Sequence, residues 1–291
     1  MENSTAGAFS DSANDTNMAP ESAKFFGYPL AAQRFVVVGQ DVTGGNHIRY
    51  SDDFGSTITD VTLTGSGFTA TSADVKQVIH DGTNYVFVGT DGSNNPIVNT
   101  TASLSSPSYS SATVGGSSFE VDDIIQFAGL YVISCAGGDQ EIRTSSTAAG
   151  SYTQRTTFTG GPVYLGHNGQ IAVAVTSSNE IKSSTDGLTW TTRTSPASSG
   201  TSFRKVQYDN GYFFAYGEDS GTPKLIRSPD GITWTDISGN LPGAFTPSGA
   251  TNIMDCGNGL VVIGESGTYY VSSDSGGSFD RDWETHPASF R

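Results

Sequence analysis

Basic residues, cysteines and long apolar runs are scarce in this sequence. Its 14 lysines and arginines stand against 29 acidic residues, a net charge of −15 that disfavours nucleic acid and anionic membrane surfaces as partners. Two cysteines, Cys135 and Cys256, do not decide the redox compartment. No apolar run approaches the ~18 residues of a membrane span. The first residues lack the basic and apolar stretches of a secretory signal peptide, so we expect a cytoplasmic chain or one released without such a signal.

Turn-forming residues are abundant instead. Glycine accounts for 36 of the 291 residues, and the hydrophobic fraction of 35% is low for a compact enzyme. Gly, Ser, Thr, Asn and Asp at this density favour many turns and short strands, as in all-β folds. Aromatic residues reach 11% and the apolar residues form regular clusters, which argues against a disordered chain.

Short apolar runs recur along the chain with a period of 40 to 50 residues. They lie at 35–39, 85–89, 131–135, 171–175, 212–217 and 260–264. Runs of about five residues rich in β-branched and aromatic side chains are typical of buried strands. The period matches one four-stranded blade of a β-propeller.

Each run follows a turn and precedes another short strand, which predicts a four-stranded meander. The segment Asp209-Asn210-Gly211 is an example of such a turn, because its residues tolerate positive φ. Six meanders predict an all-β, six-bladed β-propeller. Cys135 and Cys256 then fall in repeats three and six, on opposite sides of the ring, so we expect two separate thiols.

Four of the repeats carry a second motif just after their third strand. The pattern Ser-x-Asp-x-Gly-x-Thr/Ser includes Ser51, Asp53 and Gly55 in repeat one, and Ser272, Asp274 and Gly276 in repeat six. A form one residue shorter includes Ser184, Asp186 and Trp190 in repeat four, and Ser228, Asp230 and Trp234 in repeat five. We expect the Asp to accept hydrogen bonds from backbone N–H groups of the turn and the aromatic ring to cover the hairpin. The motif is therefore predicted to be structural, with no role in catalysis or metal binding.

These motifs resemble the Asp-box, or bacterial neuraminidase repeat, of the sialidase-like superfamily of six-bladed propellers. The resemblance covers about residues 24 to 283. In enzymatic members of that family three arginines clamp the substrate carboxylate, a Tyr–Glu pair is the nucleophile and an Asp is the acid/base. The Arg-Ile-Pro motif that supplies the first arginine is missing here. The resemblance therefore implies the fold, whereas the missing motif favours a non-catalytic member.

The basic residues of the chain are largely explained by the repeat. Arg49, Arg143, Lys182 and Arg227 each precede the Asp-box position, and we expect them to be solvent-facing and to offset neighbouring carboxylates. The remaining candidates for a clamp are Arg34, Arg155, Arg193, Arg204 and Lys205, with Tyr208, Glu218 and Glu120 as possible partners. Nothing in their spacing selects a triad, and Glu218 is predicted to be a solvated loop acid.

No metal or cofactor is expected from the spacing of the histidines, His47, His80, His167 and His286.

The predicted domains are an N-terminal arm (1–23), the propeller (24–284) and a C-terminal tail (285–291). The arm is polar and is expected to bind other structural proteins of a larger particle. The favoured function is a non-enzymatic structural or binding propeller exposed on a virion, such as a phage tail or capsid component, or on another extracellular particle. A host-surface glycan is a further partner by analogy only. The alternatives are a sialidase-like glycoside hydrolase and an intracellular assembly factor, similar to the Asp-box propellers that help to build photosystem II.

Overall fold

Strands make up most of this computed structural model. It describes residues 19–26, 34–40, 45–53, 56–70, 73–115, 120–136, 140–242, 253–257, 259–265 and 268–280. The helical element within these segments is a single 3-10 turn, Ser238–Asn240. No helix in the described segments has the length and apolarity needed to cross a membrane. The fold is the expected all-β six-bladed propeller.

The chain divides into two compact units, and the N-terminal unit is Ser4–Gln154. Blade 1 contains β1 (Ala19–Phe26), β2 (Arg34–Gln40), β3 (Asn46–Ser51) and β4 (Thr59–Asp60). Blade 2 contains β5 (Asp74–His80), β6 (Tyr85–Thr90), β7 (Pro96–Thr101) and β8 (Ser110–Thr113). Blade 3 contains β9 (Glu120–Phe127), β10 (Leu130–Ala136), β11 (Gln140–Ser145) and β12 (Thr153–Phe158), and the division between the units falls within β12.

The C-terminal unit begins at Arg155 and carries the other three blades. Blade 4 contains β13 (Val163–His167), β14 (Ala172–Thr176), β15 (Ile181–Ser184) and β16 (Thr191–Arg193). Blade 5 contains β17 (Ser202–Asp209), β18 (Tyr212–Asp219), β19 (Thr222–Ser228) and β20 (Thr235–Asp236). Blade 6 contains β21 (Ile253–Gly257), β22 (Leu260–Glu265) and β23 (Thr268–Ser272). All six sheets are antiparallel, and their strands follow sequence order.

Every predicted apolar run forms the second strand of its blade, from β2 to β22. Two details differ from expectation. The first strand begins at Ala19, whereas the sequence indicated a start near Lys24. Blade 6 has three strands in the described segments, and its fourth strand is represented by a single bridge between Val271 and Asp280. Residues 1–18 of the predicted arm and the whole predicted tail lie outside the described residues.

Hydrophobic cores lie between neighbouring blades. In β6, Tyr85 and Phe87 pack in a cluster with residues of blade 1, whereas Val86 and Val88 pack in a cluster with residues of blade 3. Successive side chains of a strand point to opposite faces, so one buried strand serves two interfaces. Each buried Val or Phe side chain contributes about 1.5–3 kcal/mol. The continuous apolar runs in the sequence are therefore explained by burial on both faces.

The C-terminal unit repeats this arrangement in β18. Phe213 and Ala215 join residues of blade 4, and Phe214 and Tyr216 join residues of blade 6. The preceding turn has positive φ at Asn210 (46°) and Gly211 (87°), which is the two-residue type I′ hairpin that this sequence favours. The turn fixes the register between β17 and β18, and hence which residues enter each interface.

The first strands of consecutive blades lie beside one another within each unit, and we call them inner strands. A β-bulge interrupts the pairing of the inner strand with the second strand in β1, β5, β9 and β17. Opposite the bulge, Gly89 pairs with Val75 and Gly217 pairs with Phe203. A Cβ added at Gly89 would lie 1.8 Å from the Asp74 carbonyl oxygen. The glycine at the end of these runs therefore permits a close backbone approach.

Replacing Gly217 with alanine should destabilise the C-terminal unit. Its Cβ would lie 2.1 Å from the Ser202 carbonyl oxygen and 2.7 Å from Phe203 Cα, both backbone atoms. The expected loss is about 2–3 kcal/mol of unfolding free energy, as for an overpacked core site, measured by denaturant unfolding. The matched control is Gly239→Ala, where no atom lies within 4 Å of the added Cβ. Equal stability of the two variants would contradict the close approach.

Candidate binding site

Four hairpin loops that follow the third strands share one hydrogen-bond pattern, and we call them the Ser–Asp loops. In each, the Ser Oγ donates to the Asp Oδ1: Ser51 to Asp53 at 2.7 Å, Ser184 to Asp186 at 3.0 Å, Ser228 to Asp230 at 3.0 Å and Ser272 to Asp274 at 2.8 Å. The same Asp oxygen accepts backbone N–H groups further along the loop, from Thr57, Leu188 and Thr189, Ile232 and Thr233, and Ser278. Each carboxylate thus organises its own turn.

These hydrogen bonds keep the Asp side chains ionised. The N–H groups of Thr189 and Leu188 lower the pKa of Asp186. Burial opposes ionisation of Asp274, yet hydrogen bonds from Ser278 and Ser272 lower its pKa to about 2. Of the predicted motif glycines, Gly276 donates its N–H to Ser272 Oγ at 2.8 Å, and Gly55 lies outside the described residues.

The two motif tryptophans occupy different environments. The Trp190 indole is half-buried, and its Nε1 donates to the carbonyl oxygen of Gly187 in its own loop at 3.1 Å. Trp234 is 7% exposed and lies in the cluster that joins blade 4 to blade 5, together with Ile171 and Val173. Trp234 therefore contributes to an interface between blades as well as to its own hairpin.

The four repeat-related basic residues lie half-buried on the third strands, where solvent-facing positions were expected. Arg49 Nε donates to Asp60 at 2.7 Å, and Arg143 Nε pairs with Glu141. Lys182 instead donates to Thr156 Oγ1 at 3.1 Å and lies over the Phe158 ring. Arg227 donates to the carbonyl oxygen of Ser275 at 2.6 Å and lies over the Tyr212 ring. The expectation of carboxylate partners is therefore correct for Arg49 and Arg143, whereas Lys182 and Arg227 contact hydroxyl, carbonyl and aromatic groups.

Two of the remaining clamp candidates form ion pairs with carboxylates of the chain. Arg34 binds both oxygens of Asp52, at 2.6 and 2.8 Å, and lies 4.3 Å from the centre of the Tyr50 ring. The hydrogen bond to Asp52 raises the pKa of Arg34. Arg204 donates to Glu218 at 2.5 Å. Glu218 lies in β18 and its side chain is 16% exposed, so its prediction as a solvated loop acid is wrong.

The other candidates lie on β9, β12, β16 and β17. Arg193 in β16 donates to Ser183 at 2.7 Å, and Arg155 is exposed in β12. Lys205 follows Arg204 in β17, Tyr208 is exposed near the end of the same strand, and Glu120 is exposed at the start of β9.

Histidines and cysteines serve the turns and the core. His80 and His167 each accept, at Nδ1, the N–H of the glycine two residues later at 3.2 Å. Both cysteines are free thiols, and burial raises the pKa of Cys135 to about 12. No group of three or more His, Cys, Asp or Glu side chains suited to a metal occurs among the residues that the structure describes. His286 lies outside them.

Charged side chains occupy the bulges of the inner strands. The extra residue is Lys76 in β5, Asp122 in β9 and Arg204 in β17. The residue that follows each bulge is also polar, namely Gln77, Asp123 and Lys205 respectively. Bulges redirect side chains and are frequent beside functional sites, so we take these six residues, the bulge positions, as candidate binding residues. Four of them lie in the N-terminal unit and two in the C-terminal unit.

Contacts at the bulge positions hold their side chains in place. In the N-terminal unit, Gln77 Nε2 donates to Asp123 Oδ1 at 3.0 Å, which joins the inner strands of blades 2 and 3. Asp123 Oδ1 also accepts the N–H of Ile124 at 2.8 Å. Lys76 pairs with Asp74 at 2.5 Å. Charged and amide groups fixed in this way can bind polar groups of a ligand without rearrangement.

Of these six residues, Arg204 and Lys205 were predicted as clamp candidates, whereas Lys76, Gln77, Asp122 and Asp123 were not predicted. A signal was present, because each pair lies between two buried apolar residues: Val75 and Val78, Val121 and Ile124, and Phe203 and Val206. Residues three positions apart point to opposite faces of a regular strand. Two apolar residues that flank a polar pair can therefore face the same core only if the strand contains an extra residue between them. The pattern therefore indicates a bulge.

Comparison with solved structures supports the fold alone. No protein-family model and no curated protein sequence matches the chain. YCF48 bound to D1 peptide has a similar fold, with a TM-score of 0.59 and 15% identity, and the match covers 91% of this chain and 86% of that chain. A prolyl endopeptidase matches with a TM-score of 0.55 and 11% identity, over 91% of this chain and 42% of that chain. The computationally designed Ika8 protein matches with a TM-score of 0.53 and 14% identity, over 92% of this chain and 88% of that chain. At these identities the likeness carries no activity, and the resemblance to the sialidase-like superfamily stays a prediction.

Truncating Trp234 should destabilise the protein more than truncating Trp190, although both occupy the same motif position. Trp234→Ala is expected to cost about 3 kcal/mol, because it empties a buried site between two blades. Trp190→Ala is expected to cost about 1 kcal/mol, since its ring is half-buried and one hydrogen bond is lost. Denaturant unfolding of the two variants measures the difference. Equal losses would show that the interface between blades does not depend on Trp234.

Proposed function

We propose that this chain is a non-enzymatic propeller that binds a segment of a partner protein at its bulge positions and serves as a structural component of a larger particle. A propeller fold is consistent with a binding or structural role. The observation that carries the proposal is the recurrence of charged side chains at the bulges of β5, β9 and β17. Three repeats use the same backbone irregularity to present a charge, although the charge itself differs.

The edges of the inner strands suit an extended segment. Each inner strand is the terminal strand of its sheet, so one of its edges is not paired within that sheet. Backbone groups along such an edge can bind an extended peptide, and neighbouring side chains then select its sequence. Lys76 and Asp122 in the N-terminal unit provide opposite charges, which would fix the direction of a charged segment.

The contacts of the arginines support a non-catalytic role. A clamp on a substrate carboxylate requires guanidinium groups that are available to it. Arg34 and Arg49 instead bind Asp52 and Asp60 of the same chain. A substrate carboxylate would have to displace these side chains, and the arginines would be no better neutralised after the exchange.

One structural neighbour supports a peptide as the partner by analogy. YCF48 has been solved bound to D1 peptide, and its fold matches 91% of this chain. The identity of 15% carries no contact residue over, so the analogy concerns the class of ligand alone.

Composition supports a place on a virion or another extracellular particle. The net charge of −15 and the high Gly content suit a soluble, exposed surface. A surface glycan is the alternative ligand. In that case the chain would still bind the glycan when the bulge positions are substituted.

Charge reversal at the bulge positions should prevent incorporation into particles. We expect Lys76→Glu combined with Lys205→Glu to reduce the particle-bound fraction about tenfold, the effect of losing ~1.4 kcal/mol. Incorporation is measured by sedimentation of particles from cells that make the chain. Lys224→Glu in β19 is the control, because it changes a lysine on a third strand.

Unchanged incorporation of the double variant, with its melting temperature retained, would contradict binding at the bulge positions. Turnover of a fluorogenic glycoside panel, abolished by one Tyr or Glu substitution, would contradict the non-enzymatic role.

A further inference from the structure

The large apolar side chains that are most exposed in the described residues all lie in the C-terminal unit. They are Leu188 (42% exposed), Ile232 (44%) and Tyr208 (36%). Leu188 and Ile232 occupy the same position of the shorter Ser–Asp loops, two residues after the Asp, in blades 4 and 5. The longer loops have Ser56 and Gly277 near this position. Exposure of an aliphatic side chain is therefore specific to the two shorter loops.

These three residues lie on one face of their blades. Consecutive strands are antiparallel, so the loop after the third strand and the turn after the first strand emerge on the same side. Tyr208 precedes that turn in blade 5, and its ring packs against Phe213 at 4.9 Å between centroids. A Cβ on Gly231 would lie 3.3 Å from the same Phe213 ring, so the Ile232 loop and Tyr208 both lie next to Phe213.

The same loop also reaches the neighbouring blade. A Cβ on Gly231 would lie 2.9 Å from Val173 Cγ2 and 3.5 Å from Ile171 Cδ1, both in blade 4. The loop of blade 5 thus rests on blade 4, whose own loop carries Leu188. Ile232 therefore lies on a loop that contacts the blade carrying Leu188.

A carboxylate accompanies each exposed aliphatic side chain. Oδ1 of Asp186 and Oδ1 of Asp230 accept the Ser hydroxyl and the N–H groups of their loops, and the Thr189 side chain also hydrogen-bonds to the Asp186 carboxylate. Both residues are exposed, so a partner can reach their carboxylates. Hydrogen bonds from Thr189 and Leu188 lower the pKa of Asp186. Each shorter loop therefore presents an apolar side chain next to a negative charge.

We propose that the shorter Ser–Asp loops of blades 4 and 5, with Tyr208, form a docking surface for a basic segment of a partner protein that carries apolar anchors. The charge selects the occupant, because a second copy of this acidic chain would be repelled and a cationic segment attracted. Leu188 and Ile232 would contact apolar side chains of the segment, while Asp186 and Asp230 pair with its lysines or arginines. This surface shares β17 with two of the bulge positions but uses none of the six residues, so variants can test the two sites one at a time.

The test uses the full chain with ¹³C-labelled Leu and Ile methyl groups and two synthetic peptides. One alternates lysine with leucine, and the other has glutamate in place of lysine. We expect the lysine peptide to shift the methyl signals of Leu188 and Ile232 together along one saturation curve, and the glutamate peptide to leave them unchanged.

Variants separate specific docking from general attraction to an acidic protein. Asp186→Asn with Asp230→Asn retains the Oδ1 acceptor but removes the charge, and should weaken lysine-peptide binding about fivefold to tenfold, as for two exposed ion pairs. The control of equal charge is Glu120→Gln with Asp91→Asn, in the N-terminal unit, which should change affinity less than twofold. Leu188→Ser with Ile232→Ser should weaken binding without altering the fold.

Equal losses in the two charge variants would overturn the proposal, as would binding of the glutamate peptide with the same affinity. Lysine-peptide shifts that spread over the other methyl groups and spare Leu188 and Ile232 would also overturn it.

Discussion

Packing between neighbouring blades is the interaction on which the rest of this structure depends. A second strand such as β18 sends Phe213 towards blade 4 and Phe214 towards blade 6, so it has no core within its own sheet. Within each unit, hydrogen bonding defines a blade but burial requires its neighbour. The Ser–Asp loops of blades 5 and 6 and Trp234 contribute to these interfaces. A polar chain with 35% hydrophobic residues can fold in this way because each apolar strand is buried on both faces.

The use of second strands for packing leaves other parts of each blade available for binding. Inner strands carry charges at their bulges, and loops after the third strands carry ionised carboxylates. Neither set of residues is needed to fill a core, so each can vary in charge between blades. Lys76, Asp122 and Arg204 illustrate this variation at one register, and Leu188 and Ile232 show that two neighbouring repeats have acquired the same exposed group.

Sequence periodicity was sufficient to predict the second strands and the number of blades, because burial on both faces produces long apolar runs. Turn residues were equally informative where backbone geometry restricts the choice, as at Asn210 and Gly211. Glu218 was misassigned because Gly217 to Gly221 reads as a loop. The chain turns there in only two residues, Ser220 and Gly221, both with positive φ, and β18 continues through Glu218.

The partners of repeat-related side chains could not be predicted from one sequence. Arg49 lies two residues before its motif serine and Arg227 only one residue before, so the two side chains point to opposite faces of their third strands. Arg49 meets Asp60 of its own blade, whereas Arg227 meets the backbone of blade 6. The bulge positions depend on strand register. A local sequence pattern indicates that register only when a polar pair between two apolar residues is recognised as the mark of an irregular strand.

Native-state hydrogen exchange tests the dependence on packing between blades most directly. Amides of β6 and β10 in the N-terminal unit should share one opening free energy, and so should those of β14 and β18 in the C-terminal unit, because no blade can open without exposing the core of its neighbour. An opening free energy for one of these strands that is lower than that of its neighbour by about 2 kcal/mol or more would show that single blades open alone, and would contradict this account.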